Sequence, residues 1–237
     1  MIESNFSIFF LFLFNLICVI MLKAVIFDFD GVIYNTPKYV FKARDIYLSK
    51  FNIKITKKQN EKLLLIPTKD AIKWINNHFK VNINYKQYLK ETKRIENQLL
   101  KNKNLPKPGV RRLINSLIKN NIKIAIATSC KRKVLLERLK KIGLKDKFNT
   151  LVSVEDIKKH KPFPDEYLFA AKKLKVDPKD CVALEDAPLG VRAINKAKMK
   201  SIGVLGDFTK PIDFKKENAN LIIKSISELT LKKLKEL

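Results

Sequence analysis

The chain has 237 residues, of which 46% are hydrophobic, which is enough for one sizeable domain and excludes a largely disordered protein. Its net charge is +26, but the cations are mostly lysines spread along the whole chain, so nucleic-acid binding is not predicted as the main role. The charge should instead draw small anionic molecules toward a cleft. Three cysteines and two histidines without metal-type spacing argue against a zinc site and favour a reducing compartment.

The chain begins with an apolar segment, residues 6–22. It is short for a membrane span, and it lacks the basic start and the small-residue cleavage site of a secretory signal. Two interpretations stay open. Either Met21 is the true start and residues 1–20 are an extension, or the segment associates with a membrane, in which case Lys23 favours a body facing the cytoplasm. A cytoplasmic protein is predicted, with a membrane anchor facing the cytoplasm as the alternative.

Short, continuous apolar runs recur after this segment and are typical of strands that are buried on both faces of a parallel sheet. They cover residues 24–27, 122–127, 151–152, 181–184 and 202–205. Stretches with helical apolar spacing lie between them, for example residues 110–118. The alternation predicts an α/β fold with a Rossmann-like, doubly wound parallel sheet.

Residues 37–105 differ from the rest, because they contain helix-like, Lys- and Asn-rich segments and no run typical of a buried strand. Pro106 and the Pro108-Gly109 pair end this region like a linker. We therefore predict that residues 37–105 form a helical cap inserted into a core made of residues 21–36 and 106–237.

Polar residues follow three of the predicted strands, at the edge where open parallel sheets bind ligands. Asp28 and Asp30 follow the first run, Thr128 follows the second, and Glu185-Asp186 follow the fourth. Four carboxylates at one edge repel one another unless a cation compensates them, and oxygen ligands favour a hard ion such as Mg²⁺. Lys161 precedes a predicted helix and can supply a fixed positive charge.

These residues resemble the four motifs of the haloacid dehalogenase superfamily of phosphohydrolases, in order and in spacing. Asp28-Phe29-Asp30-Gly31 is similar to the first motif and Thr128 to the second; Lys161, within Lys161-Pro162-Phe163-Pro164-Asp165, and Glu185-Asp186 are similar to the third and fourth. Four motifs in order are far more specific than one. The helical insert resembles the small cap of the branch that contains phosphoglycolate-type phosphatases and β-phosphoglucomutase.

The resemblance implies a role for each residue. Asp28 would be the nucleophile that forms an aspartyl-phosphate, and Asp30 the general acid and base. Thr128 and Lys161 would hold the phosphoryl oxygens. Mg²⁺ would be bound by Asp28, the backbone carbonyl of Asp30 and Asp186, with Glu185 assisting through water.

We predict a Mg²⁺-dependent phosphatase acting on a small anionic phosphomonoester, with a β-phosphoglucomutase-like sugar-phosphate mutase as the alternative. Val40 stands where these mutases have a histidine, and Asn35 stands where many relatives have an aspartate. Both positions lie near the cap hinge, so they weaken the mutase interpretation more than the phosphoryl chemistry. The alternative from another functional class is a basic binding protein, free or attached to a membrane, on a disabled scaffold of this superfamily, and the intact motifs argue against it.

Overall fold

The computed structural model describes residues 22–103 and 105–237. Residues 1–21 lie outside this range, so both interpretations of the apolar N-terminal segment remain predictions. Within the described part of the chain, no helix combines the length and the apolar character needed to cross a bilayer.

Six parallel strands form one sheet in the order β3-β2-β1-β4-β5-β6. The strands are β1 Ala24–Phe27, β2 Lys123–Ala127, β3 Thr150–Val152, β4 Cys181–Glu185, β5 Lys200–Val204 and β6 Leu221–Ile223. The predicted fold class is confirmed. The strand order reverses direction between β1 and β4, and ligands bind at such switch points.

The helices lie in two groups. Four of them follow β1: α1 Pro37–Ser49, α2 Lys57–Leu63, α3 Thr68–Phe79 and α4 Tyr85–Leu100. The others alternate with the later strands: α5 Val110–Lys119, α6 Arg132–Lys141, α7 Asp165–Leu174, α8 Pro188–Lys196, α9 Pro211–Lys216 and α10 Leu231–Lys235.

Both faces of the sheet are covered, because alternate residues of β1 enter two different hydrophobic clusters. Val25 and Phe27 pack with α5 on one face, whereas Ala24 and Ile26 pack with α7 on the other. This explains why the strands appear in the sequence as continuous apolar runs rather than as alternating ones.

Helices α1–α4 have a hydrophobic cluster of their own, whose buried members all lie between Ala43 and Ile95. A segment with its own apolar core is able to move as a unit relative to the sheet. The boundaries of the cap at 37 and 105 stay a prediction, and this separate cluster supports them. We refer to α1–α4 as the cap and to the sheet with its flanking helices as the core.

Candidate active site

Asp28 lies directly after β1 and is buried. Its backbone N–H donates to the carbonyl of Leu184 at 3.0 Å, which extends the pairing of β1 with β4 by one residue. The carboxyl ends of these two central strands are therefore side by side. This is why Asp28 and the Glu185-Asp186 pair, 157 residues apart in the chain, share one site.

Asp28, Glu185 and Asp186 each offer a carboxylate oxygen to one cluster, in which these atoms all lie within 4.8 Å of one another. The backbone comes very close to this cluster at Gly31, which has φ +88°. A Cβ atom there would lie 1.8 Å from Oδ2 of Asp186, so only glycine leaves room for that carboxylate. The glycine of the first motif thus has a steric reason as well as a conformational one.

Lys161 joins this cluster from the segment before α7, and 13% of its side chain is exposed. Its Nζ donates to Oδ1 of Asp28 at 2.6 Å and also contacts Oε1 of Glu185. Burial would lower the pKa of Lys161, but the carboxylates of Asp28 and Glu185 outweigh it and raise that pKa well above its usual value. These contacts favour the charged form of Lys161 beside Asp28.

One lysine does not balance the cluster. Burial raises the pKa of Asp28 well above its usual value, with Glu185 and Asp186 adding to the shift against the opposing charge of Lys161. Burial, followed by the neighbouring Glu185, also raises the pKa of Asp186. A dense group of oxygen ligands with excess negative charge suits a hard divalent cation, and the donor set fits one.

Glu185 is held in place by neighbours other than a metal. Its Oε1 accepts from the hydroxyl of Tyr167 at 2.9 Å, and its Oε2 accepts from the backbone N–H of Ala187 at 3.1 Å. A Cβ atom at Gly190 would collide with this carboxylate, at 2.0 Å from its carbon. Gly190 therefore makes space for Glu185, as Gly31 does for Asp186.

Glu166 is a further buried carboxylate beside Lys161, and no motif in the sequence marks it. It is fully buried at the start of α7, and its Oε1 accepts from the hydroxyl of Ser129 at 3.0 Å. Its Oε2 accepts no hydrogen bond from the residues that the structure describes and lies 3.5 Å from Nζ of Lys161. The available signal was an acidic residue in the first turn of a helix, which usually reflects the helix dipole.

Asp30 takes part in a different set of contacts from Asp28. Its Oδ1 accepts from the hydroxyl of Thr36 at 2.7 Å and from Nη1 of Arg138 at 2.8 Å. Thr36 is buried just before α1, and Arg138 comes from α6 on the core. Sequence reasoning missed both partners, because neither residue belongs to a motif that it recognised.

Thr128 follows β2 and is buried, as expected for a residue at the edge of the sheet. Its Oγ1 accepts from the backbone N–H of Cys130 at 3.2 Å. Among the described residues, Thr128 makes no hydrogen bond to the carboxylates of Asp28, Glu185 and Asp186. Burial raises the pKa of the Cys130 thiol to about 12, so this thiol is not a nucleophile at neutral pH. The phosphate-binding role of Thr128 stays a prediction.

A cleft of about 220 Å³ lies beside Asp30 and Asp186, between cap and core. Its walls are mostly apolar and come from both units: Asp30, Thr36, Pro37, Val40, Phe41, Leu64, Asp186, Ala187, Pro188, Gly206, Phe208 and Thr209. On this side, the rings of Phe41 and Phe208 pack with centroids 4.1 Å apart, and Glu61 forms an ion pair with Lys210 at 2.7 Å. Asp30 and Asp186 therefore lie in the wall of a cavity that cap and core form together.

Comparison with known proteins agrees with this architecture. Residues 25–204 match the family of haloacid dehalogenase-like hydrolases. The chain is 35% identical over 222 residues to the β-phosphoglucomutase of Bacillus subtilis, covering 91% of this chain and 95% of that protein. It is 29% identical over 185 residues to a phosphorylated carbohydrates phosphatase of Thermotoga maritima, covering 76% and 84% of the two chains.

A solved structure shows the same fold. The β-phosphoglucomutase of Clostridium difficile is 31% identical, and the superposition has a TM-score of 0.76 and covers 91% of this chain and 96% of that one. The resemblance stated from the four motifs is confirmed.

Proposed function

This chain belongs to the haloacid dehalogenase-like hydrolases and is an enzyme of that family, and we propose that it is a Mg²⁺-dependent phosphatase that hydrolyses a small phosphomonoester through an aspartyl-phosphate on Asp28. The observation that carries the proposal is the Asp28 carboxylate itself. It is buried, lies 2.6 Å from the Lys161 ammonium and shares a cluster of ligand oxygens with Glu185 and Asp186.

Asp28 attacks phosphorus with one carboxylate oxygen, and the bond from phosphorus to the ester oxygen breaks. Asp30, in its acid form, gives its proton to that leaving oxygen, so that an alcohol departs. Asp30 then accepts a proton from water as the water oxygen attacks phosphorus. The acyl-phosphate bond breaks, and inorganic phosphate, the Asp28 carboxylate and the Asp30 acid are the products.

Lys161 and Thr128 would hold the phosphoryl oxygens during both transfers, Lys161 by its charge and Thr128 by its hydroxyl. Asp28, Asp186, Glu185 and the backbone carbonyl of Asp30 would hold Mg²⁺. When bound, the metal offsets the negative charge that otherwise keeps a carboxylate and a phosphate apart.

The substrate we propose is a small phosphorylated metabolite. The cleft beside Asp30 supports this, since its volume of about 220 Å³ leaves little room for a macromolecular ligand. The relatives named above, a mutase and a phosphatase of phosphorylated carbohydrates, point to sugar phosphates as the first compounds to assay.

A β-phosphoglucomutase-like mutase is the second candidate, and the similarity to two such enzymes favours it. Val40 favours the phosphatase. It lines the cleft in the first turn of α1, and its side chain can neither donate nor accept a proton. A mutase must keep water out and return the phosphoryl group to a bound sugar, whereas a hydrolase uses water as its second substrate.

A paired assay tests the proposal. We expect Mg²⁺-dependent release of inorganic phosphate from several monoesters and no conversion of β-glucose 1-phosphate to glucose 6-phosphate with a bisphosphate activator present. Isomerisation that outruns phosphate release about tenfold, a barrier difference of about 1.4 kcal/mol, would establish the mutase instead.

A further inference from the structure

We propose that Arg138 is a positioning residue for Asp30, and that Glu96 of the cap holds Arg138 in place, so that the seated cap orients the general acid and base. This inference rests on the proposed function, because it assigns Arg138 and Glu96 an effect on the proton transfer that Asp30 performs there.

The contacts form one chain of charges from cap to core. Arg138 on α6 donates from Nη1 to Oδ1 of Asp30 at 2.8 Å and from Nη2 to Oε1 of Glu96 on α4 at 2.9 Å. Lys93, one turn earlier on α4, donates to both oxygens of Glu96 at 3.0 and 2.9 Å. The guanidinium thus reaches two carboxylates 66 residues apart in the chain, one in each unit.

Because the Arg138–Glu96 pair is buried, the position of each side chain depends on the other. Arg138 and Glu96 each have only 6% of the side chain exposed, and the guanidinium lies 5.6 Å from the ring centre of Tyr34. A buried guanidinium that loses one of two carboxylates is left with unpaired donors, which is costly. The two donors of the planar fork also fix directions that the single ammonium of a lysine does not. The position of Arg138 therefore depends on Glu96.

The consequence for Asp30 follows from which oxygen is held. Both Thr36 and Arg138 donate to Oδ1, and Oδ2 accepts no hydrogen bond from any described residue. Oδ1 of Asp30 is thus occupied by hydrogen bonds from Thr36 and Arg138. Oδ2 is therefore the oxygen that carries the proton exchanged with the leaving group and with water. Asp30 lines the cleft where that group would lie.

The alternative is that Glu96 and Arg138 only fasten the cap to the core. Two substrates separate these roles. The p-nitrophenolate of p-nitrophenyl phosphate leaves without a proton, whereas the alkoxide of a sugar phosphate needs one. A defect in positioning Asp30 should therefore reduce kcat/KM for the sugar phosphate much more than for the aryl phosphate, whereas a loosened cap should affect both.

For the best sugar phosphate of a panel, we expect Arg138→Met to lower kcat/KM about 100-fold, which is within the usual range of general acid catalysis. For p-nitrophenyl phosphate, we expect it to lower kcat/KM less than about fivefold. Arg138→Lys should recover part of the loss. In an Asp30→Asn background, Arg138→Met should cause little further loss, because it acts through Asp30.

Glu96→Gln keeps the acceptor oxygen and the size of the side chain, so it should fold even if Arg138→Met does not. We expect it to lower kcat/KM for the sugar phosphate about tenfold, with little change for the aryl phosphate. The matched control is Arg94→Met, which removes the exposed ion pair with Glu91 on the same helix and should leave both values unchanged.

Thermal unfolding of each variant checks folding. Equal losses for the two substrates in Glu96→Gln, or no loss for either, would overturn the inference and leave the proposed function standing. A wild-type protein that releases no phosphate from either compound would overturn the proposed function, and the inference with it.

Discussion

Asp28 and Asp30 are separated by one residue, yet their surroundings differ in charge balance. Around Asp28, three other carboxylates are buried or half-buried, those of Glu166, Glu185 and Asp186. Lys161 is the cation that contacts Asp28, Glu166 and Glu185. Around Asp30, the groups balance: Asp30 and Glu96 are acidic, and Arg138 and Lys93 are basic.

This difference supports the two separate roles that we propose for Asp28 and Asp30. The unbalanced side is suited to a divalent cation and to a nucleophile that must approach an anionic phosphate. The balanced side is complete without an added ion and is suited to holding one carboxyl group in a fixed orientation. The turn Asp28-Phe29-Asp30-Gly31 thus directs two carboxylates into two environments with different chemistry.

The largest expected effect is at the nucleophile. Asp28→Asn should lower turnover by about 10⁴-fold or more, because an amide cannot form the acyl phosphate. The protein should stay folded, since the substitution removes a charge from an overcrowded cluster. Inorganic phosphate release and thermal unfolding are the measurements, and beryllium fluoride should inhibit only the wild type. Normal turnover in pure Asp28→Asn would contradict the proposed mechanism.

The contributions of Asp186 and Glu185 to metal binding can be separated by substituting each in turn. Asp186→Ala should weaken the apparent Mg²⁺ affinity by more than about 100-fold, whereas Glu185→Gln should weaken it about tenfold. Glu185 is held by Tyr167 and by the backbone of Ala187, so it depends less on a metal. Activity is titrated with Mg²⁺, and the rise in Tm with Mg²⁺ gives a readout without substrate. Equal, mild effects would mean that the metal is held elsewhere.

Glu166 provides a test of the excess negative charge. Glu166→Gln should tighten inhibition by inorganic phosphate about tenfold, or about 1.4 kcal/mol, because one of the carboxylates that repel the anion is removed. Asp146→Asn, on the exposed surface, is the control and should change nothing. Unchanged or weaker inhibition in Glu166→Gln would show that this carboxylate mainly orients Lys161.

The smallest effect concerns stability in the absence of metal. In EDTA, Asp186→Asn should raise Tm by about 2–4 °C, which corresponds to about 1 kcal/mol for a chain of this size. The pKa of Asp186 is raised in the folded state, so the folded protein retains a proton that the unfolded chain releases above about pH 4. The wild type therefore loses stability relative to the variant as pH increases.

Calorimetry in EDTA at several pH values measures this difference. The advantage of Asp186→Asn should be small near pH 4 and should grow toward neutral pH, and Mg²⁺ should reverse it by stabilising only the wild type. If Asp186→Asn is less stable than the wild type at neutral pH in EDTA, the carboxylates around Asp28 do not carry a destabilising excess of negative charge.

The sequence by itself was sufficient for the fold class and for the carboxylate cluster. Continuous apolar runs specify strands that are buried on both faces, and the residue after such a run lies at the edge of the sheet wherever the strand is placed. Asp28, Glu185 and Asp186 were therefore predictable from their places after two runs, and Lys161 from its motif. These patterns are local in the sequence, so they can be interpreted without knowledge of the tertiary packing.

Only the tertiary structure decided which distant charges meet. Arg138, Glu96 and Glu166 belong to ordinary amphipathic helices, and in a chain so rich in lysine no spacing marks one ion pair among many. Glu96 and Arg138 are 42 residues apart and come together because the fold brings α4 of the cap close to α6 of the core. Local patterns determine strands, turns and the residues beside them, whereas pairing between separate units depends on packing that the complete fold creates.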